Sequence, residues 1–166
     1  MDSDIAPALA LTAADGDSPR VVGRPPRILL GFIAAGIVLD LVWPMPFLPG
    51  ALQYWLGGSS IVLGLALFAW ACRALRQAGT NIPTCQPAIR IVGHGPYRLS
   101  RNPIYLSMAT VFLGIATAVD GPWLFGLFLV WLPLMKWGVI RREEAYLDAR
   151  FGDAYRAYKL TARRWL

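Results

Sequence analysis

The chain has 166 residues, of which 56% are hydrophobic and only 16% charged, with a formal net charge of +6. Soluble domains carry roughly 45–50% apolar and about 25% charged residues, so this composition excludes a disordered chain and argues against a soluble enzyme. Two cysteines, Cys72 and Cys85, build no disulfide scaffold, and the one histidine, His94, excludes a histidine-rich metal centre.

In chain order, residues 1–27 read as a flexible cytosolic leader. Four aspartates come before three arginines, and the only apolar patch precedes the positive charges, the reverse of a signal peptide. The first long apolar run spans 28–43 and is broken only by Asp40; the proline-rich segment 44–50 ends it, since proline does not continue a helix. A second run covers 52–75 and a third 103–119. Asp120-Gly121-Pro122 reads as a tight turn, and a fourth run, 123–140, follows directly.

A bilayer core of about 30 Å takes roughly 20 apolar residues per helix, so the four runs are read as transmembrane helices, the last two as an antiparallel hairpin. The expected fold is an all-α integral membrane protein, with 28–166 as a single domain. All 16 Lys and Arg fall before the first run, between the second and third, or at and beyond the end of the fourth. By the positive-inside rule both termini and the 77–102 loop face the cytoplasm. Membrane topology and anionic headgroups account for the positive charge, and nucleic acid is not needed.

Polar chemistry collects in two cytosolic pieces, 78–102 and 141–166, which the hairpin brings to one corner of the membrane surface. In the first, Gly93-His94-Gly95-Pro96 lets backbone approach a ligand closely, and Pro103 suits the first turn of the third span. In the second, Glu143 and Glu144 are the only glutamates of the chain. They differ by about 100° around a helix, so only one can face a pocket. Leu147, Phe151, Ala154, Tyr155 and Tyr158 form an amphipathic stripe interrupted at Gly152, read as packing on the membrane surface or against the loop.

These residues carry a resemblance. Gly95-Pro96-Tyr97-Arg98, Arg101-Asn102-Pro103 and Tyr105, followed by Arg142-Glu143-Glu144, Leu147, Phe151-Gly152, Tyr155 and Tyr158, resemble the isoprenylcysteine carboxyl methyltransferase family, which is related to the membrane phospholipid N-methyltransferases. The resemblance spans about 78–164. It implies an S-adenosylmethionine-dependent methyltransferase without a Rossmann fold, whose lipophilic acceptor enters from the bilayer. By position it implies that Ile91, Val92, Tyr97, Asn102, Pro103, Ile104 and Tyr105 line the cofactor. Glu143 then takes the cofactor's ammonium, and Asn102 or backbone amides take its carboxylate. Glu144 is left to pair with an arginine such as Arg101 or Arg141, or to face solvent.

The prenylcysteine enzymes carry an arginine near the acceptor carboxylate, four residues before the equivalent of Glu143. That position is Val139 here, so Arg142, the nearest guanidinium together with Arg141, is the candidate catalytic residue facing the acceptor. No metal site is expected. Alternative readings are a phospholipid N- or small-thiol S-methyltransferase using the same pocket, or a non-enzymatic small membrane subunit.

Overall fold

The computed structural model describes residues 21, 23–46, 48, 50–81 and 88–165. Most of the expected leader, and Cys85 within 82–87, lie outside the described residues. The elements are α1 (Pro25–Val42), α2 (Leu52–Gln77), a short 3-10 turn (Gly95–Arg98), α3 (Pro103–Val119), α4 (Pro122–Met135), a π-helical turn (Lys136–Ile140), α5 (Arg141–Phe151) and α6 (Asp153–Thr161). There is no β-strand among the described residues. The expected all-α fold is therefore observed.

Proline sets three of the helix starts. Pro25, Pro103 and Pro122 each stand in the first turn, where the missing N–H costs nothing. Pro25 starts α1 inside the segment read as leader. α2 ends on Gly79, whose positive φ of 65° lets the Thr80 N–H turn back to the Leu75 carbonyl at 3.2 Å.

By length and composition, α1, α2 and the continuous helix Pro122–Phe151 qualify as membrane spans; the fourth expected span, α3, is shorter at 17 residues. Leu30, Leu41, Val62, Leu63, Leu129 and Val130 leave a broadly apolar exterior exposed on these helices. Trp43, Tyr54 and Trp55 stand exposed around the α1–α2 connection, as interfacial aromatics do. This is a multi-pass membrane protein.

The bundle is held by close helix approach rather than by polar ties. A Cβ on Gly57 of α2 would lie 2.5 Å from the Ala118 nitrogen of α3, and one on Gly114 would lie 2.8 Å from the Ile61 nitrogen. Helices approach this closely in a membrane only through small residues. The Ser60 hydroxyl adds one cross-tie, donating to the Thr110 carbonyl at 3.0 Å.

In the α3–α4 hairpin, Phe112 meets Phe128 and Trp131 edge-on with ring centroids 5.4 and 5.7 Å apart. Asp120 makes the turn in a left-handed conformation (φ 54°), and its carboxylate accepts the Leu48 N–H, tying the α1–α2 connection to the hairpin tip. The expected tight turn is thus observed, at the end of the bundle opposite the polar pieces.

The α2–α3 approach makes a testable distinction between neighbouring glycines. Gly57→Leu should destabilise the detergent-solubilised protein by about 1–3 kcal/mol or more, read as a lower melting temperature. Gly58→Leu, whose Cβ meets nothing within 4 Å, should stay within about 0.5 kcal/mol of the parent. Equal melting of the two variants would remove the close approach as the basis of the bundle.

Candidate functional site

At the end of the bundle bearing the polar pieces, the chain returning from α2 crosses the start of α3 and meets α5 and α6. Its return is fixed by Thr80, whose hydroxyl accepts the Ile89 N–H at 3.1 Å. The 3-10 turn then buries Pro96 and Tyr97. Between these elements lies a cleft with about 790 Å³ of empty space, counting its open mouth.

Every residue expected to line a cofactor borders this one cleft: Ile91, Val92, Tyr97, Asn102, Pro103, Ile104, Tyr105 and Glu143. Arg142 does not. It is exposed at the start of α5, whereas Arg90 and Arg101 line the cleft.

The π turn explains this placement. Pro133 has no N–H to continue the ladder of α4, and the wider turn follows within three residues. Buried Trp131, Met135, Val139 and Glu143 recur every four residues. An uninterrupted α-helix would drift by about 40° per step along that row, and the wide turn takes up the drift. One extra residue advances the phase by about 100°, so Glu143 takes the direction that residue 142 would have had in an unbroken helix.

The Glu143 carboxyl is buried, and the Tyr105 hydroxyl donates to its Oε2 at 2.7 Å. No cation pairs with it among the described residues. Glu144 borders the same cleft but is paired. Its Oε1 accepts Arg164 Nε at 2.9 Å, its Oε2 accepts Arg164 Nη2 at 2.7 Å, and Arg101 Nη2 stands 3.7 Å from Oε1. Both glutamates border the cleft, which differs from the expectation that only one faces it; the arginine pairing expected of Glu144 is present, with Arg101 and Arg164 as its partners.

Asn102 lines the cleft as expected and has a further role. Its Nδ2 donates to the Arg164 carbonyl at 3.1 Å, and its backbone N–H donates to the Ser100 hydroxyl at 3.2 Å. It anchors the tail as well as lining the cleft. The Arg101 N–H adds a 2.7 Å bond to the Arg163 carbonyl, completing a short parallel bridge between 100–101 and 163.

Gly152, at φ 51°, breaks the tail helix, and α6 folds back over the loop. There Tyr155 is 2% exposed, and the Tyr158 hydroxyl donates to the Tyr97 carbonyl at 2.6 Å. The aromatic stripe read as packing does pack, and Tyr155 and Tyr158 also wall the cleft. Burial pushes the phenols of Tyr97, Tyr155 and Tyr158 upward, Tyr158 to about 12, so all three stay neutral hydrogen-bond donors at physiological pH.

Chemically, the cleft offers the buried carboxyl of Glu143, the arginine-paired carboxylate of Glu144, neutral phenols, apolar walls from Leu75, Val92 and Ile104, and the guanidiniums of Arg90 and Arg101. Among the described residues no group of His, Cys, Asp and Glu could hold a metal ion. Sequence reasoning missed Arg164, which lies twenty residues beyond Glu144 in no recognisable pattern.

The model of the phospholipid methyltransferase family matches residues 52–154, from α2 into α6. An uncharacterized protein of Haemophilus influenzae (strain ATCC 51907 / DSM 11121 / KW20 / Rd) is 39% identical over 63 residues, covering 38% of this chain and 100% of that protein. No solved structure matches. The matched segment contains the α2–α3 pair, the hairpin and the cleft-facing Glu143, and on that footing the chain belongs to the phospholipid methyltransferase family, within the isoprenylcysteine carboxyl methyltransferase-like group of membrane methyltransferases.

Proposed function

We propose that the protein transfers a methyl group from S-adenosylmethionine to a lipophilic acceptor, with the cleft, both termini and the 77–102 loop on the cytoplasmic side and α3 crossing the bilayer as a fourth span. Glu143 carries this reading. It is a buried carboxyl facing the cleft, it has no cationic partner among the described residues, and it stands where the resemblance puts the group that receives the donor's ammonium.

The residues present fit that donor. Glu143 supplies the charge for the ammonium, and the Tyr105 hydroxyl holds its carboxyl in place. Leu75, Val92 and Ile104 supply apolar surface for the nucleoside, with Tyr97 beside them. When bound, S-adenosylmethionine supplies a methyl group activated by its sulfonium. What this chain contributes is positioning and exclusion of water. Tyr155 and Tyr158 close one wall of the cleft, and the bond from Tyr158 to the Tyr97 carbonyl holds tail and loop together around it.

A phospholipid is the first acceptor to test. The family description supports it, and so does Val139, which is fully buried at the position where the prenylcysteine enzymes place an arginine. Arg142, exposed at the start of α5, is suited to meeting the acceptor's headgroup at the membrane surface rather than the donor. An amine or thiol acceptor must lose a proton before attack, and His94 does not line the cleft.

Two measurements check the reading. Titration of S-adenosylmethionine into the detergent-solubilised protein should give saturable binding, and labelled donor should transfer methyl to phosphatidylethanolamine in preference to prenylcysteines or small thiols. No binding at millimolar donor would favour a non-enzymatic membrane subunit. In the same detergent, Glu143→Gln should lower donor affinity by about one to two orders of magnitude, because a charge-assisted hydrogen bond is worth about 1.5–3 kcal/mol. Glu144→Gln should cost stability through the tail anchor and lose much less affinity. The opposite ranking would overturn the register of α5 and the site built on it.

A further inference from the structure

Two polar atoms lining the cleft are buried without a partner: the Tyr97 hydroxyl and Arg101 Nε. Arg101 is the more demanding of the two because it is charged. Its side chain is only 12% exposed. A guanidinium so far removed from water needs a compensating anion.

Glu144 is its nearest carboxylate, but Glu144 is already engaged. Arg164 grips both of its oxygens in a fork at 2.9 and 2.7 Å, while Arg101 reaches Oε1 only at 3.7 Å. Bidentate, charge-assisted pairs are the stronger ones, so Arg164 holds the larger share of that charge. Arg101 is left with positive charge to spare, lining a cleft whose other cationic side chain, Arg90, is exposed. The side chain expected to receive the donor's carboxylate, Asn102, has turned an amide N–H onto the Arg164 carbonyl.

We infer that Arg101 holds the carboxylate of the methyl donor's amino-acid portion, and that Arg164 is a positioning residue that keeps Arg101 available by neutralising Glu144. The inference rests on the S-adenosylmethionine reading above. An amino-acid zwitterion carries an ammonium and a carboxylate on one carbon, and the Glu143 carboxyl and the Arg101 guanidinium both line this cleft, as does Glu144, whose carboxylate Arg164 holds. Arg164 lies beyond residue 154, where the family match ends, so this device belongs to the tail of this chain.

The test compares binding of S-adenosylmethionine with binding of its decarboxylated form, which lacks only the carboxylate. Full-length protein in detergent is used throughout. The parent protein should prefer the carboxylate-bearing donor by about tenfold to a hundredfold. Arg101→Gln should bring that ratio close to one. Arg101→Lys, which keeps the charge but not the fork, should retain part of it and serves in its place should the glutamine variant fail to fold.

Arg164→Gln should also reduce the ratio, as Glu144 turns to Arg101, and adding Glu144→Gln should restore it. A purely structural tail anchor, already broken by the first change, would not be restored by the second. A parent ratio near one, or an undiminished ratio in Arg101→Gln, would overturn the role of Arg101 while leaving the donor reading intact. An unrescued double variant would overturn the role of Arg164. Failure of the parent protein to bind either ligand would remove the donor reading and this inference together.

Discussion

The hydrogen bond from Tyr105 to Glu143 joins parts of the chain that are 38 residues apart in sequence. It spans the start of α3 and the start of α5, the two places where apolar helices give way to polar sequence. A buried carboxyl is costly unless its oxygens are satisfied, so this bond and its register have to be reached for the end of the bundle to close. The loop after α2, the fold-back of α6 and the cleft between them are all arranged around that pair.

Reaching the register depends on the helix leading to it. A run of apolar residues from Pro122 onward would serve as a span in any phase, because lipid makes no distinction between its faces. The cleft does make a distinction. Pro133 and the wide turn after it rotate everything downstream, so that Trp131, Met135 and Val139 stay in the core and Glu143 follows them inward. π turns are often found at functional sites, and here the reason is geometric.

The tail adds a second layer with a different energetic character. Membrane helices pack on shape, as Gly57 and Gly114 do between α2 and α3. The tail is held by polar groups at the bundle end: Arg164 on Glu144, Asn102 on the Arg164 carbonyl, Tyr158 on the Tyr97 carbonyl. Such bonds each contribute about 0.5–1.5 kcal/mol net, more for the charged pair. They are directional, and they locate side chains around the cleft in a way that greasy contact does not.

Much of this was legible in the sequence. Apolar runs and the placement of Lys and Arg are one-dimensional properties, so the helices, the Asp120 turn and the convergence of two polar pieces at one bundle end follow from them. The motif that resembles a known family named residues around the cleft, and the angular separation of adjacent helical positions gave Glu143 and Glu144 different partners, although both border the cleft. Partners could not be read in this way. Asn102 looked like a carboxylate donor, and one N–H of its amide is engaged by a backbone carbonyl that no residue identity announces. Arg142 looked like the nearest cation, and the extra residue of the π turn moved the inward direction on to Glu143. Arg164 became the partner of Glu144 only because Gly152 breaks the tail helix and folds it back. Composition and periodicity fix where a chain is apolar and which way a regular helix faces, whereas a break in a helix or a contact across sixty residues is settled only when the whole bundle has packed.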